Sequence, residues 1–170
     1  MNAEPVACYV GLGSNLQHPR FQVEAALKKL AALPETVLTA RSNWYRTQPV
    51  GPQDQPDFIN GVARLETRLR PEPLLRQLQQ IERAQGRRPS AVRWGPRVLD
   101  LDLLLYGTLH QDRPKLRIPH PELGRRAFVL IPLAEIAPPD LCIPGQGRLD
   151  QCLAACSHAG VWPLDAEISA

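Results

Sequence analysis

Several kinds of protein are excluded by what this 170-residue chain does not carry. Its four cysteines, Cys8, Cys142, Cys152 and Cys156, make no framework. There is no Cys-x-x-Cys pair, and no histidine stands at zinc spacing beside Cys152 and Cys156. Free thiols and a reducing, cytoplasmic setting are the expectation, rather than a disulfide scaffold or a zinc module. The opening residues, Met1-Asn2-Ala3-Glu4-Pro5, lack the basic and apolar regions of a secretory leader. No apolar run approaches the roughly 20 residues that span a bilayer, so no membrane partner is expected. Internal repeats and low-complexity segments are also missing. Net charge is small: 20 basic against 17 acidic residues give +3. That balance suits a small anionic ligand as well as a nucleic acid, and so excludes neither. Proline is plentiful, with 18 residues that fall between elements and read as loop punctuation rather than disorder. The length fits one domain, 1–170, with a real core.

The hydrophobic pattern sets an order of elements. Val6 to Leu12 reads as a strand that ends in a turn cluster, Gly13-Ser14-Asn15. A helix opens at Pro19, which suits a first helical turn, and carries Phe21, Val23, Ala26, Leu27, Leu30 and Leu33 at helical spacing. Thr36 to Thr47 is rich in Val, Thr, Trp and Tyr and reads as one strand. The loop after it, residues 48–56, has three prolines and a glycine, and is long enough to serve a function. Phe58 to Leu69 returns as a strand. Pro71-Glu72-Pro73 opens a second helix with Leu74, Leu75, Leu78 and Ile81 as its buried stripe. A basic loop follows Gly86, then a strand from Val98 to Tyr106. Beyond it lie short β pieces at Leu109-His110 and Leu116 to Ile118. An apolar helix interrupted by Pro132 runs from Phe128 to Ile136, and a last helix spans Leu149 to His158. The resulting β-α-β-β-α-β order predicts an α+β, ferredoxin-like sandwich with an antiparallel sheet, both helices on one face, and a C-terminal extension.

The chain is organised around residues 93–106, Arg-Trp-Gly-Pro-Arg-Val-Leu-Asp-Leu-Asp-Leu-Leu-Leu-Tyr. In a strand, Leu99, Leu101, Leu103 and Leu105 point into a core, while Asp100 and Asp102 stand together on the other face, about 7 Å apart. An alternating Asp/Leu strand with its acids in water accounts for the triplet alone. Paired carboxylates at this spacing also suit a pair of divalent cations, as polyphosphate chemistry needs. The flanking Arg93, Trp94 and Arg97 favour the second reading, because a solvated strand needs no such mouth and the arginines complement an anion.

Taken together, these motifs resemble the 6-hydroxymethyl-7,8-dihydropterin pyrophosphokinases of folate synthesis, over nearly the whole chain. The resemblance is carried by Gly13-Ser14-Asn15, Tyr45-Arg46-Thr47, Gly51-Pro52-Gln53-Asp54-Gln55-Pro56, Phe58-Ile59-Asn60, Glu82, Gly86-Arg87, Arg93 to Arg97, Leu99 to Asp102, Pro119-His120 and Arg126 to Leu130. The Arg-Trp-Gly-Pro-Arg to Asp-Leu-Asp block is the most specific of these. It implies transfer of the β,γ-diphosphate of MgATP to the pterin hydroxymethyl group, releasing AMP. By the same resemblance, Asp100 and Asp102 hold two Mg²⁺, and Arg87 and Arg97 join them in catalysis. Gln79, Glu82, Arg93, Trp94, Leu103, Lys115, His120 and Arg126 match ATP-side positions. Thr47, Pro49, Val50, Phe58, Asn60, Trp94 and Phe128 match pterin-side ones. Stacking rings and edge-reading amides suit a flat heteroaromatic. Two departures stand out. Many relatives have Pro-Pro-Leu where this chain has Gln48-Pro49-Val50, and a tyrosine is common where Pro121 follows His120. Many relatives are fused to further enzymes of the pathway, for which 170 residues leave no room, and a monomer is expected.

The competing class is an RNA-recognition module, built on the same element order. Such modules stack bases on aromatic residues of their central strands. Val62 to Leu69 carries none, and the neighbouring face carries two acids that would repel a phosphate backbone. Nucleic acid is therefore not expected as a partner.

Overall fold

The computed structural model describes residues 4–49, 54–86 and 96–164. The first strand, β1 (Val6–Ser14), is an inner strand of an antiparallel sheet. It pairs on one side with β4 (Phe58–Thr67) and on the other with β5 (Asp100–Tyr106). Strands β2 (Thr36–Arg41) and β3 (Tyr45–Thr47) both pair with β4, end to end along its outer edge.

Helices α1 (Pro19–Ala31) and α2 (Pro71–Ala84) pack on one face, as the β-α-β-β-α-β pattern requires. Each opens on proline, whose missing N–H costs nothing in a first turn. Lys28 and Lys29 in the last turn of α1 suit its negative dipole end. Beneath the helices, Val23, Leu27, Leu30, Leu74, Leu78 and Ile81 meet Cys8, Val10, Leu12, Ala63, Leu65, Leu99, Leu101 and Leu103.

Among the described residues, the opposite face is only partly covered. Helix α3 (Ala127–Ile136) crosses it, followed by the short ribbon β8 (Cys142–Ile143) and β9 (Gly147–Arg148) and by helix α4 (Leu149–Ala155). Leu123, Leu130, Leu133, Ile143 and Leu149 make a second core there with Tyr9, Val62, Leu104 and Leu105. The last strand, β10 (Val161–Pro163), adds to the sheet beside β3. A separate hairpin, β6 (Gln111–Arg113) and β7 (Leu116–Ile118), lies past the end of β5.

Four expectations need correction. Gly13 and Ser14 are not a turn; they extend β1 and pair with Asn60 and Ile59. Thr36 to Thr47 is not one strand. At Ser42 the hydroxyl accepts the Val62 N–H at 2.8 Å and donates to the Asn43 carbonyl, which displaces the ladder and lets Trp44 turn into the helix-side core. Leu105 does not share a face with Leu99, Leu101 and Leu103. The register with β1 shifts between Tyr9 and Val10, so Val10 faces Leu103 and Tyr9 faces Leu105, with Leu104 as the extra residue. Such a bulge inverts the alternation beyond it, and Leu104 and Leu105 both join the α3 side. The last helix stops at Ala155, short of the expected His158.

Candidate active site

Alternation in three strands brings the candidate residues to the face shared with α3. Across the sheet, Tyr45 of β3, Asn60 of β4, Gly13 of β1 and Asp100 of β5 form one row. Val62, Gly11 and Asp102 form the next row, and Thr47 faces Phe58 beyond the first. The inner strand β1 thus offers glycine wherever its neighbours offer a functional side chain. A Cβ on Gly13 would stand 2.5 Å from the Asn60 Oδ1, so no larger residue fits without moving that amide. The result is a cleft of about 120 Å³ floored by Gly11 and Gly13. Asp100, Asp102, Arg97 and Arg126 line one part of it, and Thr47, Gln48, Phe58, Asn60 and Phe128 line the other.

The two parts differ in chemistry. Phe58 and Phe128 come from β4 and from the first turn of α3, and the Asn60 amide donates to the Thr47 hydroxyl at 2.7 Å, leaving its carbonyl over Gly13. The Arg126 guanidinium lies 5.6 Å from the centre of the Phe128 ring and joins the two parts. His120 is half-buried beside them. Its Nδ1 accepts the Glu122 N–H at 3.1 Å, so the ring proton of the neutral form sits on Nε2. Burial, then the Arg126 charge, lower its pKa, against the opposing pull of Asp100 and Glu122.

Two buried groups fix this arrangement from behind. Asn15, 2% exposed, is hydrogen-bonded on both sides of the cleft. Its amide donates to Gln55 Oε1 at 3.0 Å and to the Pro56 carbonyl at 2.9 Å; its Oδ1 accepts the Arg97 N–H at 2.8 Å, and its own N–H donates to the Arg97 carbonyl. The residues that close the 48–56 loop and those that enter β5 therefore share one anchor. Glu82 of α2 accepts the N–H of Leu101, the residue between the two aspartates, at 2.8 Å. The sequence alone gives Gln55 no role of its own, reads Asn15 as a turn residue and leaves the roles of Gly11 and Gly13 unseen; the Gly-Ser-Asn triplet was the available signal for two of these four.

Not every predicted residue reaches this cleft. Gln79 and Lys115 line a separate groove between α2 and the β6–β7 hairpin, with Glu72, Leu75, Arg76 and Arg113. Glu82 and Leu103 are buried on the helix side of β5. Pro49 is buried next to Gln48 but does not line the cleft. Val50, Arg87, Arg93 and Trp94 lie outside the described residues.

The donor set fits Mg²⁺ held together with a phosphorylated substrate. Among the described residues no group of three or more His, Cys, Asp or Glu side chains gathers to form a closed cage. Asp100 and Asp102 instead share one face of β5 beside glycines that leave space open. Mg²⁺ commonly uses one or two carboxylates and takes its other ligands from water and substrate phosphates.

A split β-α-β-β-α-β sandwich whose cleft joins paired acids and arginines to an aromatic-walled recess defines an α+β protein with one open site on its sheet. Residues 9–138 match the family model of 7,8-dihydro-6-hydroxymethylpterin-pyrophosphokinase, and the chain belongs to that family. It is 53% identical over 153 residues to the 2-amino-4-hydroxy-6-hydroxymethyldihydropteridine pyrophosphokinase of Pseudomonas aeruginosa, covering 90% of this chain and 93% of that one. The enzyme of the same name from Haemophilus influenzae is 49% identical over 139 residues, covering 82% and 86%. Among solved structures, an HPPK-DHPS in complex with substrates shares the fold with a TM-score of 0.69 at 12% identity, over 89% of this chain and 44% of that one. A Plasmodium falciparum HPPK-DHPS triple mutant gives 0.66 at 12% identity, over 89% and 44%. The chain thus spans less than half of those longer chains. It is a diphosphokinase that moves a pyrophosphoryl group from MgATP to hydroxymethyldihydropterin in folate synthesis. No helix among the described residues is long and apolar enough to cross a membrane.

Proposed function

We propose that the diphosphate passes from ATP to the pterin within the cleft over Gly11 and Gly13, with Asp100 and Asp102 holding two Mg²⁺. The observation that carries this reading is the row Asn60–Gly13–Asp100, which sets an edge-reading amide and a metal-binding acid on either side of a bare strand. Phe58 and Phe128 stack on the pterin, Asn60 reads its edge, and the backbone of Thr47, Pro49 and Val50 reads the rest. Trp94 closes over both substrates. Bound Mg²⁺ neutralises and aligns the phosphates. Arg97 and Arg87 follow the charge that grows on the α,β-bridging oxygen, an interaction stronger in the transition state than before it. Arg93, His120 and Arg126 hold the phosphates. Lys115 and Gln79 serve the adenosine side, supported by the groove they share. Glu82 and Leu103 act on that side through β5 as positioning residues, consistent with the Glu82 bond to Leu101 N. Residues 1–170 work as one domain and as a monomer in the cytoplasm, without nucleic acid or membrane.

The test is a product assay with MgATP and 6-hydroxymethyl-7,8-dihydropterin that resolves AMP from ADP. The native enzyme yields one AMP per diphosphorylated pterin. Asp100→Ala and Asp102→Ala keep their circular dichroism and lose at least about a hundredfold in kcat, as removal of preorganised charge stabilisation does. Full turnover by either variant would move the metal site elsewhere.

A further inference from the structure

Strand β10 lies outside the cleft, yet it contacts residues at the start of the 48–57 segment and, through Arg46, reaches Asp57 at its end. It pairs with β3 in the register Val161↔Thr47, Trp162↔Arg46 and Pro163↔Tyr45. Just past the ladder, the Gln48 N–H donates to the Gly160 carbonyl at 2.9 Å, and Gln48 itself lines the cleft. Gly160 has φ +77, and a Cβ there would stand 2.6 Å from the Gln48 Oε1. Glycine is thus required for the backbone and for the approach of the Gln48 side chain. At the loop's other end, the Arg46 guanidinium lies over the Trp162 ring, 4.9 Å from its centre, while its Nε is 3.9 Å from Asp57 Oδ2. The chain running out of β10 is tied as well, by the Leu164 N–H to the Trp44 carbonyl at 3.0 Å.

We infer that β10 is a positioning element for the pterin subsite: Gly160 sets Gln48 and the start of the 48–57 loop, and Trp162, through Arg46, sets its end at Asp57. This rests on the pterin-side reading of Thr47, Asn60, Phe58 and Phe128. β3 is only three residues long and lies between β4 and β10, and of the pterin-side residues it carries Thr47, with Gln48 and Pro49 directly after it. The ATP side is tied to other elements, α2 and the β6–β7 hairpin. Disturbing β10 therefore acts on one substrate and spares the other.

The experiment measures KM for each substrate and kcat in Gly160→Ala, Trp162→Ala and Trp162→Phe, with direct pterin binding to the folded proteins. Gly160 and Trp162 do not line the cleft, so any effect passes through Gln48 or Arg46. Gly160→Ala and Trp162→Ala raise KM for the pterin on the order of tenfold through lost preorganisation, with KM for ATP within about twofold. Trp162→Phe keeps a ring for Arg46 and restores most of the pterin affinity. Equal changes in both KM values, or lowered thermal stability with both unchanged, would reduce β10 to an edge cover. Phe128→Ala separates the two claims. If it leaves pterin affinity intact, the subsite reading falls and this inference with it; if it weakens pterin while Gly160→Ala does not, only β10 is discarded.

Discussion

Gly13 shows how a side chain that is not there organises those that are. Asp100 and Asn60 flank it on neighbouring strands, and any Cβ between them would collide with the Asn60 carbonyl. Glycine weakens a strand interior, so its presence in an inner strand of the sheet marks a close approach rather than a packing choice. His120 adds a titrating group to the same neighbourhood. Its folded pKa is lowered by burial and by Arg126, so the fold prefers the neutral ring. The unfolded chain binds the proton more readily, with a pKa of about 6.5. The contribution of His120 to stability is therefore complete above that pH and is lost as the solution is made more acidic. Denaturant midpoints at pH 7.5 and 5.5 test this against His120→Asn. The native protein loses more stability on acidification than the variant does; parallel losses would show that the ring does not titrate differently on folding.

Strands and helices were legible wherever the pattern is local. Alternation through Asp100, Leu101, Asp102 and Leu103 gave the acid face of β5, and the apolar stripes of α1 and α2 gave the core beneath it. The bulge at Leu104 was not legible, because it exists only in the pairing with β1. Nor was the seat of α3 on the opposite face, since a helix apolar on most sides does not state which sheet face it will cover. Asn15 is the clearest case. Its partners lie 41 and 82 residues away, so no local pattern could name them. Asn15→Ala removes one acceptor and two donations from a buried position, and leaves the Arg97 N–H without its partner. The loss is about 2–3 kcal/mol, the penalty for stranding buried polar groups. Because the anchor serves Arg97 and the Gln55–Pro56 segment at once, kcat falls and KM for the pterin rises together. Thermal melting and steady-state kinetics check both; a variant with native kinetics would make the anchor purely structural.

The described residues form two cores separated by one sheet. The helix-side core holds α1 and α2, the other holds α3 and α4, and the strands β1, β4 and β5 contribute alternate side chains to both. This sharing governs how the cleft survives stress, because Phe128 and Arg126 belong to the α3 layer while Asp100 and Asp102 belong to the sheet. Were the α3 layer merely an attached extension, it would open while the sheet stayed intact, and the pterin end would fail first. The shared strands argue for one cooperative unit instead. Leu133 and Leu78 are each fully buried, one in each core, and Leu→Ala at such sites costs about 2–5 kcal/mol. Leu133→Ala and Leu78→Ala are each expected to unfold in one transition, with far-ultraviolet circular dichroism, tryptophan fluorescence and loss of pterin binding coincident. Trp44 makes the fluorescence sensitive to the helix side, 3% exposed in that core. If Leu133→Ala lost pterin binding at a lower denaturant concentration than it lost the Trp44 signal, the α3 layer would be a separate unit. The cleft would then be a junction between two bodies instead of a groove in one.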